Sequence, residues 1–382
     1  MDRLLRFSMK ILVTESSMNW GGQEERTLRE CLWLAGRGHD VKLLGNADSA
    51  IVERAAAEGV PTATASLRFA ASPRGLTKIW QQATRFEADI INCHSQRDSW
   101  MCVPTRLSGI PVVRTQNTNL PDKLSIERTW FYRNGCDHII AAAGSIQKQL
   151  VDGLKVPKNR VTVIGEGVDT EKFHPRQDGG DFRRQWNVPA DAPLFGVVGM
   201  LRGEKGQALF LRAALVAWKR NPALRFVLIG EGVRKNSTEE NLRAYVAKEF
   251  PAVECPVIFA GFQKDIPQAM AALDVLVVPS TRDAQTLVIP QAFATGRPVI
   301  GSNVGGIPDL VQPEKNGLLF PSRDKAALAE AMLRLATDAS LRKRLGSQAR
   351  RFAQEHLQTA GKMRELEAVF TRVARQRAAA RA

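Results

Sequence analysis

The sequence predicts an α/β protein built as two similar halves, each a mainly parallel sheet covered on both faces. Three observations lead there. Short apolar strands alternate with helical apolar spacing from Ile11 to Ala142. The alternation restarts after a polar, Gly-rich interval at Gln177 to Gly180. Polar or Gly-rich turns follow strands at Gly21, Gly199 and Pro279, and open α/β sheets bind ligands at such places.

In the first half, Ile11 to Val13 is a strand, and Gln23 to Ala35 is a helix by its spacing of Leu28, Cys31, Leu32 and Leu34. Asp40 to Leu44, Asp89 to Asn92, Val112 to Thr115 and His138 to Ala142 are further strands, with helices at Leu76 to Phe86 and Ser145 to Leu150. In the second half the strands are Phe195 to Val198, Phe226 to Ile229, Val257 to Phe259, Val275 to Val278 and Val299 to Ile300. Helices fall at Ala208 to Trp218, Asn241 to Ala247, Lys264 to Ala272 and Leu287 to Ala294. Ala326 to Ala379 reads as consecutive helices. Domains are placed at 1–180 and 181–358, with a last helix at 359–382.

Composition narrows the class. The 382 residues are 44% hydrophobic and 24% charged, as in soluble proteins. No apolar run approaches the roughly 20 residues needed to cross a bilayer. The residues before Met9 lack an apolar core and read as an extension with no role in the fold. The five cysteines are scattered, without a CxxC pair, which argues against a disulfide framework or zinc site and for a reducing cytosol. The net charge of +15 leaves nucleic acid, an anionic membrane surface or an anionic substrate as partners. No nucleic-acid-binding signature appears, so nucleic acid is not expected. Neither Asp-x-Asp nor other metal-ligand spacing stands out, so no metal is expected.

Two segments carry chemistry. Pro279 to Val311 places Asp283 and the backbone N–H groups of Ala284, Gln285, Thr286 and Leu287 at a helix start just past a strand. A helix start favours anions, so a phosphorylated ligand is the natural reading. Gly21-Gly22-Gln23-Glu24 repeats that geometry after the first strand, as a ligand-approach loop or a flexible turn. Lys205, in Gly199-Met200-Leu201-Arg202-Gly203-Glu204-Lys205-Gly206, is a cation at a helix start, where the dipole opposes it unless an anion is bound. His94 ends a strand and is either a hydrogen-bonding partner for a sugar or phosphate oxygen or a structural histidine.

The frame Asp283, seven residues, Gln291-Ala292-Phe293-Ala294, then Gly296-Arg297-Pro298-Val299-Ile300, Gly305-Gly306 and Asp309 resembles the signature of the retaining glycosyltransferases of family 4. Gly165-Glu166-Gly167-Val168-Asp169 with Phe173-His174-Pro175 also resembles a family element. The resemblance implies the GT-B fold: two Rossmann-like domains with parallel sheets facing across a cleft. It implies a metal-independent, retaining transfer from a nucleotide-diphosphate sugar, a UDP-sugar, to a hydroxyl of an envelope glycan or glycolipid, with no other cofactor. It also implies a cytoplasmic enzyme peripheral at the inner membrane face.

By the same resemblance, Lys205, Arg202, Gly21, Gly22, Gly232, Phe262, the Ala284 to Leu287 backbone and Gln291 bind the donor. Glu24 and Asn117 lie on the acceptor side, and Asp283, His94 and Lys205 take catalytic roles. The chain departs from the family at Asn117 and Met200, where a His and an Arg are usual, and at Asp283 and Gln291, where both are glutamates. These departures leave a degenerate sugar-nucleotide-binding member open as the alternative, as well as an epimerase.

Overall fold

The computed structural model describes residues 8–69, 72–121, 123–232 and 238–379. The expected N-terminal extension lies outside the described residues up to Phe7. The chain divides into two compact units, residues 1–165 with 362–382, and residues 166–361.

The first unit holds a seven-stranded parallel sheet of β1 (Lys10–Glu15), β2 (Asp40–Gly45), β3 (Thr62–Thr64), β4 (Ile90–Cys93), β5 (Val112–Gln116), β6 (His138–Ala141) and β7 (Val161–Val163). Its order is β3-β2-β1-β4-β5-β6-β7. The second unit holds a six-stranded sheet of β8 (Leu194–Val198), β9 (Arg225–Ile229), β10 (Val257–Gly261), β11 (Val275–Val278), β12 (Val299–Ser302) and β13 (Gly317–Phe320), ordered β10-β9-β8-β11-β12-β13. Buried apolar runs such as Val275-Leu276-Val277-Val278 suit strands covered on both faces. Both sheets are doubly wound, as the sequence predicts. In each, the order reverses beside the first strand, between β1 and β4 and between β8 and β11. That leaves a crevice at the carboxyl ends of those strands.

The boundary differs from the expected residue 180. The segment after Gly165 is stitched into the second unit: the Val168 N–H donates to Leu357 O (2.7 Å) and the Thr359 N–H to Val168 O (3.1 Å). Phe173 is buried in that unit's core. The Gly-rich interval is instead the entrance to a short helix, Gly180–Gln185, packed inside the unit.

The last helix, Thr359–Ala379, packs on the first unit through Met363, Leu366, Val369, Phe370 and Val373, all buried against Ile11, Val13 and Leu34. Each such side chain contributes about 2 kcal/mol of burial. Polar ties add direction, including His39 Nε2 to Glu367 Oε1 at 2.9 Å. Arg372 Nη2 also approaches His138 Nε2, at 3.3 Å.

Burial, reinforced by Arg372 and Arg160, lowers the His138 imidazole from its ordinary 6.5 to about 4. His138 is therefore neutral when folded and takes up a proton on unfolding, so its stability contribution is lost as pH falls from 6.5 toward 4. The urea midpoint is expected to fall less between pH 7 and pH 5 in His138→Gln than in the parent chain. Equal slopes would exclude this histidine as a source of acid sensitivity.

Candidate functional site

The corner between β8 and β11 gathers most of the donor-side candidates. β8 runs into the turn Gly199 to Gly206, and β11 into the loop Pro279 to Leu287. The two loops lie against each other because Gly206 has a positive φ of 75° and no side chain. A Cβ there would fall 1.9 Å from Pro279 O. The Thr281 N–H then donates to Glu204 O at 2.8 Å.

This register brings Lys205 Nζ to 2.8 Å from Asp283 Oδ2, which also accepts from Ser280 Oγ at 3.1 Å. Asp283 is 7% exposed, whereas the Lys205 side chain is 35% exposed. The carboxylate is thus fixed from within and presents the ammonium to solvent. Asp283 Oδ1 has no partner among the described residues. Ser302 Oγ holds Ser280 O at 2.6 Å, and the Gly306 N–H holds Asp283 O at 3.1 Å, so the end of β12 and the Gly-Gly turn brace the loop.

Arg202 turns back over the β8 loop, its Nη2 3.6 Å from Met200 Sδ. Its guanidinium occupies the neighbourhood of the residue where the family carries an arginine. Leu201 and Gly232 form a bridge between the loops after β8 and β9. Phe262, past β10, is 64% exposed, and its N–H donates to Glu231 Oε1 at 3.3 Å. Among the described residues, the N–H groups of Ala284, Thr286 and Leu287 show no protein acceptor. They precede the helix Val288–Ala294. Such unsatisfied donors at a helix start suit an anion. Gln285 is half-buried in the same loop, and half-buried Gln291 lies on the helix itself.

The first unit holds the other candidates, also at carboxyl ends of strands. Gly21 is the N-cap of helix Gly22–Gly36, with Glu24 buried in its first turn. A Cβ at Gly22 would meet nothing within 4 Å, so that backbone is open to approach. Asn117 lies past β5, and both polar atoms of its amide are buried without a partner among the described residues.

His94 is not placed as the catalytic reading requires. It is 1% exposed. Nδ1 lies 3.1 Å from Thr27 Oγ1 and Nε2 lies 2.9 Å from Asn92 Nδ2. Thr27 Oγ1 already donates to Gln23 O, and Asn92 Oδ1 accepts from Thr115. The network therefore assigns Nδ1–H donating to Thr27 and Nε2 accepting from Asn92. Burial, then Arg26 and Arg114, holds the ring well below its ordinary range, hence neutral. Both nitrogens face the chain's own side chains because the residue just after β4 turns inward toward helix Gly22–Gly36. His94 thus braces this corner from within the first unit.

The sequence reading missed Glu15. It ends β1 fully buried and accepts from Gln23 Nε2 (2.6 Å), from the Ser17 N–H (2.9 Å) and from Ser95 Oγ. It thereby ties the Gly-Gly loop to the end of β4. Burial raises its carboxyl above the usual range, against those hydrogen bonds. A lone carboxylate closing an apolar strand was the available signal. Among the described residues no cluster of His, Cys, Asp and Glu is placed to hold a metal ion.

The family model described as glycosyltransferase family 4 matches residues 20–172, and that described as glycosyl transferases group 1 matches residues 192–338. The chain belongs to the group 1, family 4 glycosyltransferases. It is similar to the Escherichia coli UDP-Gal:α-D-GlcNAc-diphosphoundecaprenol α-1,3-galactosyltransferase, 27% identical over 74% of this chain and 75% of that one. It is 32% identical to the D-inositol 3-phosphate glycosyltransferase of Thermomonospora curvata over 57% of this chain, and the match spans about half (53%) of that enzyme. Anabaena HepE, solved in complex with UDP, superposes with a TM-score of 0.85 over 95% of this chain and all of HepE at 21% identity, a likeness of fold. The fold is the GT-B glycosyltransferase architecture, as the resemblance implies.

Proposed function

We propose that this glycosyltransferase moves a hexose from a UDP-sugar to a hydroxyl of an envelope glycan or glycolipid, with retention at the anomeric carbon and without a metal. The observation that carries the reading is the Lys205–Asp283 pair, 2.8 Å apart at the point where the second sheet's order reverses. As the sugar C1–O bond breaks, charge grows on the leaving diphosphate. The Lys205 ammonium, the Arg202 guanidinium and the N–H groups of Ala284, Thr286 and Leu287 stabilise it. Asp283 holds the lysine through Oδ2 and offers Oδ1 to a sugar hydroxyl. Gln291 accepts a ribose hydroxyl, as a neutral group and therefore more weakly than a carboxylate would. The acceptor oxygen bonds to C1 on the face the diphosphate leaves, and its proton passes to the departing phosphate oxygen, so no histidine base is required. Glu24 and Asn117 bind on the acceptor side.

The activity of the E. coli relative and the UDP held by HepE support the donor and the acceptor class. No helix among the described residues is long and apolar enough to cross a membrane. Peripheral attachment at the inner face is supported by the exposed Leu107 and Ile126 of the first unit and the +15 charge.

The test is to incubate the full chain with UDP-glucose, UDP-galactose or UDP-N-acetylglucosamine and a GlcNAc-diphosphoundecaprenol acceptor, with EDTA present. The expected product carries an α linkage by NMR. A β product would overturn retention, loss of turnover in EDTA would overturn metal independence, and absence of UDP binding by calorimetry would overturn the donor.

A further inference from the structure

The second unit carries a concave basic site at the amino ends of β11 and β12, the end of the sheet opposite the Lys205–Asp283 corner. Asp274 leads into β11 and Pro298 into β12, whereas Asp283 follows the far end of β11. The intervening four-residue strand spans about 13 Å. Pro175, Arg297, Pro298, Arg342, Lys343 and Arg350 contribute to the walls of a cavity of about 460 Å3 there. That is the size of a small-molecule site. Arg342, Gly346 and Arg350 recur at every fourth position, on one face of helix Ala339–His356. Gly346 lets this face close on the turn before β12, because a Cβ there would fall 2.2 Å from Gly296 O.

Each arginine is fixed through one terminal nitrogen to main-chain carbonyls. Arg297 Nη2 donates to Ala271 O at 2.5 Å. Arg342 Nη1 donates to Leu335 O and to Ala336 O. Arg350 Nη1 donates to Ala294 O at 2.7 Å and Phe173 O at 3.0 Å. None of the four cations has a carboxylate partner among the described residues, and Arg297 Nε is buried with no partner. The one acidic group in the lining, Asp274, is already held by Arg183 Nη1 (3.2 Å) and the Leu194 N–H (2.8 Å). Burial lowers the Arg297 guanidinium from its usual range, with Asp274 opposing and Arg183 adding. Anchored planar guanidiniums with unspent donors match phosphate oxygens.

We propose that this cavity is a second anion site, for a phosphate-bearing ligand of two or more negative charges, separate from the nucleotide corner. Calorimetry in the Lys205→Ala background separates the two: pyrophosphate, or vesicles of phosphatidate in phosphatidylcholine, is titrated into the full chain. Saturable binding is expected to persist without Lys205. It should weaken by about tenfold in Lys343→Glu and in Arg342→Gln, each of which loses a charge-assisted contact. Lys343→Glu keeps the test valid if Arg342→Gln disturbs the end of helix Lys325–Thr337, since the Lys343 ammonium has no protein partner among the described residues. Saturation by pyrophosphate assigns the phosphate to a soluble molecule. Saturation by phosphatidate vesicles alone, with the same dependence on Lys343, assigns it to a lipid headgroup. Binding of neither probe, or unchanged affinity in both variants, overturns the site.

Discussion

Lys205→Ala is expected to lower kcat/KM for the UDP-sugar by about a hundredfold to a thousandfold, the usual cost of removing one preorganised donor to a developing anion. The ammonium is held 2.8 Å from Asp283 by two loops braced against each other, so no reorganisation is needed when the diphosphate departs. The loss should fall chiefly on kcat, because the leaving-group charge is greatest in the transition state. Removing the lysine also leaves a buried carboxylate with only the Ser280 hydroxyl at Oδ2, which costs about 1–3 kcal/mol of stability. Turnover must therefore be compared well below the melting range. The double variant Lys205→Ala, Asp283→Asn adds a discriminating measurement. If Asp283 acts mainly by positioning the ammonium, the second change adds little to the first. If Oδ1 also grips a sugar hydroxyl, the losses approach additivity. Kinetics within about twofold of the parent for Lys205→Ala, by contrast, would remove the pair from the reaction.

The site was legible where a strand, a turn and a helix start follow one another in the chain. Asp283 and the N–H groups after it come directly from the buried run Val275–Val278 and the helix that begins at Val288. Lys205 was legible because a cation at a helix start goes against the dipole. The Lys205–Asp283 contact was not, since it depends on the close approach of Gly206 to Pro279, and separation in sequence carries no trace of that. His94 shows the opposite failure. A histidine ending a strand reads as facing the ligand, yet partners on a helix and on β4 itself turn it inward.

The two sheets were legible for the buried strands, whereas β3, β7 and β13 escaped. The first two are three-residue edge strands of mixed burial, too short for a periodic signal, and β13 is a four-residue edge strand. The unit boundary escaped because a polar, Gly-rich composition is not what defines it. Gln177 to Gly180 has that composition but lies inside the second unit. The actual division at Gly165 is set by Val168 pairing with the short connection between the last two helices far along the chain, at Leu357 to Thr359.

Gly206→Ala should destabilise the second unit by about 3 kcal/mol or more and cost activity beyond that loss. Its φ of 75° alone disfavours a Cβ, and the new methyl would fall 1.9 Å from Pro279 O, inside any van der Waals contact. Relief requires the β8 loop to withdraw from the β11 loop. Lys205 is the adjacent residue, so withdrawal lengthens its 2.8 Å contact with Asp283. A misplacement of about 1 Å at a reacting group can cost a hundredfold in rate. Gly203→Ala is the internal comparison, because a Cβ there meets nothing within 4 Å and its φ is not positive. That variant should stay within about 0.5 kcal/mol of the parent in stability. Equal melting temperatures and equal kcat/KM for the two alanine variants would show that loop contact at Pro279 does not set the position of Lys205.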